Sequence, residues 1–178
     1  MDNHIRRQFH AGTELPGYRG LVLKMDNKLK AFLDLIAWSE GTSTSPHTQN
    51  NGYDIIVGGI DSPNTLTDYS KHPFEDGGAV QVNDHLKSTA AGRYQLLARF
   101  WLVYKKQLNL PDFSPASQDI VALQQIRERH AIVMIEAGNI AGAISACSNI
   151  WASFPGNDYG QGGHKVEALI AQYNSLLA

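Results

Sequence analysis

The chain holds a single cysteine, Cys147, among 178 residues. That excludes an internal disulfide framework, and one thiol cannot supply a cysteine-based zinc site. Neither charge sign dominates: 15 Lys and Arg stand against 17 Asp and Glu, a formal net charge of −2. Without a global basic field, nucleic acid and anionic lipid are not expected partners. No apolar run approaches the roughly 20 residues of a membrane helix, so no membrane insertion is expected. The Arg6-Arg7 pair is not followed by the apolar segment of roughly 7–15 residues that a secretory signal requires. Internal repeats and low-complexity tracts are also missing. What is present, 43% hydrophobic and 18% charged residues, is the composition of an ordinary globular domain. At this length folding buries about two thirds of the unfolded surface, enough for a core without staples.

Residues 1–24 carry Arg, Gly and Pro without any period, and are expected to form a flexible extension. Residues 25–178 are expected to form one domain. Asp26 or Asn27 can cap a helix in which Leu29, Phe32, Leu33 and Ile36 recur at i, i+3, i+4, i+7. Glu40 is next on that stripe, and Gly41 is a natural stop. Residues 42–52 read as a loop, and Tyr53–Val57 as a short strand ending at Gly58-Gly59. Residues 60–87 read as irregular, with a hairpin and a surface loop at 71–86. Helical signal is expected from Ser88-Thr89 and more strongly after Gly92, with Leu96, Leu97, Phe100, Trp101, Tyr104 and Leu108 on one face. Ser114-Pro115 starts the next helix, with Ile120, Val121, Leu123 and Ile126 as its face. A short helix at Ala131–Glu136 ends at Gly138, and Asn139 opens another through Cys147. A Gly-rich loop at 152–163 precedes a last helix carrying Val166, Leu169, Ile170, Tyr173 and Leu177. The class is α+β, mostly helical, with a small β region inserted after the first helix.

Chemistry concentrates at Glu40. A glutamate on an apolar stripe is uncommon without a reason. The C-terminal end of a helix disfavours its ionised form, and partial burial beside Trp38 or a neighbouring aromatic would push the same way. A carboxyl kept protonated near neutral pH is what a general acid requires. The plainer reading, a glutamate just past the stripe and bonded to a loop, stays open at this level. Two further segments fit a neutral sugar. Ser88–Gln95 combines small residues with Arg93, Tyr94 and Gln95, and Ser148–Gln161 combines aromatics and amides with a glycine-rich loop. A tight turn and a core tryptophan beside a surface loop are their plainer alternatives. The histidines, among them His47, His72, His85, His130 and His164, lack metal-ligand spacing, so neither metal nor cofactor is expected. Ser39 has no nucleophile elbow around it.

Several long segments, in order, resemble the phage lambda-type endolysin family. They are Ala31-Phe32-Leu33-Asp34-Leu35-Ile36-Ala37-Trp38-Ser39-Glu40-Gly41-Thr42, then Asn51–Gly59, Thr67–Ser70 with His72-Pro73, and Lys87-Ser88-Thr89-Ala90-Ala91-Gly92-Arg93-Tyr94-Gln95-Leu96-Leu97. Asp112–Pro115 and Cys147–Ser153 complete the set. The match starts near residue 29; residues 1–24 have no counterpart, and the 71–86 loop is altered.

The resemblance implies a lysozyme-like fold and cleavage of the MurNAc–GlcNAc β-1,4 bond of peptidoglycan by lytic transglycosylation. Glu40 would first protonate the glycosidic oxygen and then, as a carboxylate, take the proton of the muramic C6 hydroxyl. That hydroxyl closes on C1, so the second carboxylate of ordinary glycosidases is dispensable. Two lips, approximately residues 71–83 and 148–161, would flank the cleft, with Tyr69, Gln95, Asn149 and Tyr159 as substrate contacts. Peptidoglycan glycan strands are the implied partner, and a monomer the implied state. The implied location is the host cytoplasm until a holin opens the membrane, then the periplasm and wall. Two rivals remain at this stage. One is a hydrolytic muramidase in which Asp54 or Asp68 positions water. The other is a non-catalytic glycan-binding module, against which the retained Glu40 argues.

Overall fold

A computed structural model describes residues 26–156 and 163–178. The expected extension at 1–24 lies outside the described residues. In chain order the elements are α1 (Asn27–Ser39), a 3₁₀ turn (Gly59–Asp61), β1 (Val80–Asn83), β2 (Leu86–Ser88), β3 (Ala90–Ala91), β4 (Leu96–Leu97), α2 (Ala98–Gln107), α3 (Pro115–Glu128), α4 (Ala131–Glu136), α5 (Ile140–Cys147) and α6 (Val166–Leu177). This is the α+β arrangement expected. Among the described residues no helix is long and apolar enough to cross a membrane.

The caps follow the local chemistry. Asp26 accepts from the Lys28 amide, Ser114 from Ser117 ahead of Pro115, and Asn139 from Gly142. The stripe Leu29, Phe32, Leu33 and Ile36 is buried, but so are Ala31, Leu35 and Ala37. Helix α1 is thus a central helix enclosed on most sides rather than a surface helix with one apolar stripe. It packs against α3, α4 and α6. Phe32 meets Phe154 and Tyr173 edge-on at 6.1 and 6.5 Å between ring centroids. A second, smaller core gathers Leu96, Trp101, Leu110, Phe113 and Val121. Buried His72 sits there, its ring 4.7 Å from that of Phe113. Its Nε2 lies 2.9 Å from the Leu96 carbonyl and its Nδ1 accepts from the Phe74 amide. Burial lowers its pKa.

Three expectations about the β region need correction. Tyr53–Val57 is not a strand: only Ile55 and Ile56 make isolated bridges, to Thr65 and Ala91. Positive φ at Gly52 (89°) and Val57 (26°) breaks the extended backbone on both sides. Ser88–Gln95 is not a helix start either. β3 and β4 pair antiparallel across the turn Gly92–Gln95, and helix begins only at Ala98. Gly92 (77°) and Gln95 (48°) both sit in the left-handed region, which a right-handed helix cannot contain. A Cβ on Gly92 would meet the Gln118 amide oxygen at 2.2 Å, so the turn requires glycine. The hairpin of the 60–87 region is confined to β1 and β2, with a bulge between Gln81 and Asn83. The expected face of α2 is also narrower, since Phe100 is 44% exposed beside buried Trp101.

The Gly92–Gln95 turn is anchored from below. Arg93 is buried and donates to Asp34 of α1 at 2.7 Å and to the Asn51 carbonyl. Asp119 of α3 accepts from Tyr94 at 2.6 Å and Tyr53 at 2.9 Å. Thr42 donates to the Arg93 carbonyl at 2.6 Å, and Trp151 to that of Tyr94 at 3.2 Å. This polar layer ties α1, α3 and the loop after α5 to the turn that presents Gln95.

Candidate active site

Glu40 is the residue that ends α1. Its backbone N–H still donates to the Ile36 carbonyl at 2.9 Å, while Gly41 (φ 74°) turns the chain away. Gly59 abuts it so closely that a Cβ there would lie 2.2 Å from the Glu40 carbonyl oxygen. The half-buried carboxyl accepts from Ser153 Oγ at 2.7 Å, and Ser153 Oγ lies 2.9 Å from Ser39 Oγ. Ser39 in turn donates to the Ile36 carbonyl at 2.9 Å. Burial pushes the Glu40 carboxyl above its usual range, opposed by side-chain and backbone hydrogen bonds from Ser153.

This chain of hydroxyls suits both protonation states. A hydroxyl offers one donor and two acceptor sites and rotates freely between them. With Glu40 protonated, the carboxyl donates to Ser153, Ser153 to Ser39, and Ser39 to Ile36. With Glu40 ionised, Ser153 donates to the carboxylate and Ser39 to Ser153, and the Ile36 carbonyl keeps the Glu40 amide as its donor. Neither state strands a buried polar group.

Glu40 stands where two arms of a cleft meet. One arm, about 730 Å³, is walled by Trp38, the Gly58–Ile60 turn, Val82 of the hairpin and His164, whose ring lies 4.6 Å from that of Trp38. The other, about 640 Å³, is walled by Phe100, Tyr104, Asn149 and Trp151. Leu86, Ser88, Gln95 and Ala152 border both arms. Gln95 holds its left-handed backbone with its own amide, which donates to the Gly92 carbonyl at 3.1 Å.

Of the predicted contacts, Gln95 and Asn149 line the cleft. Tyr69 does not; its hydroxyl accepts from Asn50 at 3.0 Å and its carbonyl from the Phe113 amide. Tyr159 lies outside the described residues. Neither acidic candidate lines the cleft. Asp54 is buried and accepts from Thr48 Oγ1 at 2.5 Å and from the Gln49 amide at 2.7 Å. Asp68 is exposed and held by Ser70. Among the described residues Glu40 is the only carboxylate lining either arm.

The Endolysin family model matches residues 30–178, nearly the whole described fold. The chain belongs to the endolysin family. It is 56% identical to the endolysin of Escherichia phage lambda over 153 residues, covering 85% of this chain and 92% of that one. It is 52% identical to the endolysin of Escherichia phage P2 over 157 residues, covering 86% and 95%. Bacteriophage lambda lysozyme complexed with a chitohexasaccharide superposes with a TM-score of 0.79 at 56% identity, covering 85% of this chain and 95% of the other. The fold of this endolysin is therefore lysozyme-like, as the sequence led us to expect. Sequence reasoning missed Ser39, His164 and Leu86 as cleft residues; Val82 and Ser153 fall within the two expected lips but were not singled out. Ser153 lies inside a segment that carried the family resemblance, but nothing local relates it to a glutamate 113 positions earlier.

Proposed function

We propose that this endolysin cleaves the β-1,4 bond between N-acetylmuramic acid and N-acetylglucosamine in peptidoglycan by lytic transglycosylation. Glu40 is the proposed catalytic residue. Its raised pKa keeps a proton available for the glycosidic oxygen, which leaves as a hydroxyl when the bond to C1 breaks. The carboxylate so formed then takes the proton of the muramic C6 hydroxyl as that oxygen bonds to C1. The product end is a 1,6-anhydro ring, and Glu40 returns to its acid form. The hydroxyl chain through Ser153 and Ser39 supports a residue that must serve as acid and then base.

The observation that carries this reading is that, among the described residues, Glu40 is the only carboxylate lining the cleft. An inverting hydrolase needs a second carboxyl roughly 6.5–9.5 Å from the acid, and a retaining one needs it at roughly 5–5.5 Å. Asp54 and Asp68, the candidates the sequence offered, are engaged elsewhere. Gln95 and Asn149 are proposed as contacts to sugar hydroxyl and acetamido groups. Digestion of purified sacculi in ¹⁸O-water tests the reading: released glycans are expected to end in 1,6-anhydromuramic acid without label at C1. Label at C1 in the main product would instead make the enzyme a hydrolase.

As an endolysin, the protein is further proposed to act as a monomer on the host wall. It would gather in the cytoplasm and reach its substrate once a holin has opened the membrane.

A further inference from the structure

The two cleft arms differ in charge. Lys87, Arg99 and Arg129 all line the arm walled by Phe100 and Trp151, whereas no lysine or arginine among the described residues lines the arm walled by Trp38 and His164. They come from three separate elements, β2, the first turn of α2 and the end of α3. All three are exposed, and among the described residues none is held in an ion pair. Glu128, next to Arg129, is engaged instead by Tyr104 at 2.6 Å and Gln124 at 2.8 Å. The Arg99 guanidinium rests 4.8 Å from the centroid of the exposed Phe100 ring. A chain of nearly balanced charge has thus gathered along one side of its cleft three cations that no carboxylate among the described residues pairs. Such a placement raises the local concentration of anionic groups and steers them.

A muramic residue without its stem offers these cations one carboxylate, that of its lactyl group. A peptide stem takes up that carboxyl in an amide bond and instead carries carboxylates further out, on its side chains and terminus. We infer that Lys87, Arg99 and Arg129 form a subsite for the carboxylates of a peptidoglycan stem peptide, anchoring a peptide-bearing muramic residue in the Phe100 arm. This inference rests on peptidoglycan being the substrate. It makes the enzyme selective for peptide-bearing strands over denuded ones.

The test compares KM on soluble uncross-linked glycan strands with stems intact and on strands freed of peptide by an amidase, with the lactyl carboxylates so exposed capped as methylamides. Wild-type enzyme is expected to favour the peptide-bearing strand. Lys87→Gln, Arg99→Gln and Arg129→Gln should each shrink that preference roughly two- to fivefold, the size of one exposed ion pair. Arg99→Lys and Arg129→Lys keep the charge and should keep the preference, which separates loss of charge from loss of fold. The preference should also fall with added salt, because exposed charges are screened. Equal KM on both strands for the wild type, or equal weakening of both by the Gln variants, overturns the subsite. Failure of the wild type to cleave either strand would instead remove the substrate reading beneath it.

Discussion

Ser153 Oγ lies 2.7 Å from the Glu40 carboxyl and 2.9 Å from Ser39 Oγ, so one hydroxyl joins the end of α1 to the loop after α5. The proton poise of Glu40 is set by burial, which raises its pKa, and by that loop, whose Ser153 hydrogen bonds lower it. Ser153→Ala removes a donor that favours the ionised carboxyl, and the pKa of Glu40 should rise further. The alkaline limb of the pH–rate profile should move to higher pH, with roughly tenfold loss of rate for one charge-assisted hydrogen bond. A variant that loses rate without moving the limb would show Ser153 to be merely structural.

Glu40→Gln should abolish cleavage and leave the fold intact, because the near-isosteric amide cannot deliver a proton. General acid–base help is worth about 10²–10⁴-fold, and one residue serving two steps should sit at the upper end. The same substitution has a stability signature. The folded pKa lies above the ordinary value of 4.5, so the native state binds the extra proton. Stability therefore falls as pH rises from that ordinary value through the folded one. Glutamine abolishes the fall. The two proteins should melt alike at about pH 4, with the variant higher at about pH 8 by roughly 2–4 °C per kcal/mol. Wild-type turbidity clearing by a folded Glu40→Gln protein would sink the assignment.

Asp54→Asn and Asp68→Asn separate chemistry from scaffold. Asp54 accepts two hydrogen bonds in the core, and an amide can accept only with its oxygen; the substitution should cost about 1–3 kcal/mol of stability. Asp68 is exposed and its variant should melt and turn over like the wild type. Both should still yield 1,6-anhydro ends. A rate loss in either as deep as that of Glu40→Gln would mark it as a second catalytic carboxylate.

Residues 1–24 precede the Asp26 cap, and the family match begins at residue 30. We propose that they add nothing to the catalytic domain. A chain starting at Met25 should keep its melting temperature and its activity on sacculi. A fall of several degrees would place part of the domain before Met25.

The sequence by itself determined what depends on near neighbours along the chain. Caps at Ser114 and Asn139, the choice of Asp26 over Asn27 aside, the stop at Gly41 and the apolar periods of α1 and α3 are local matters of hydrogen-bond donors and side-chain spacing and stand where they were read, while the α6 period holds at Leu169 and Tyr173 and fails at exposed Leu177. Glu40 was legible for the same reason: an acid on an apolar stripe at a helix end is anomalous within a few residues of itself. The β region was not. The turns at Val57 and Gly92 are held by partners far away in the chain, through the bridge from Ile56 to Ala91 and the close approach of Gly92 to Gln118. No propensity of residues 53–57 or 88–95 records those partners. The tertiary structure alone decided that Ser153 bonds Glu40, that Asp54 is spent on Thr48 and Gln49, and that three cations from three elements share one arm. Each is a meeting of side chains distant in sequence, brought together by burial of the two cores, and burial acts on surface in space, not on order in the chain.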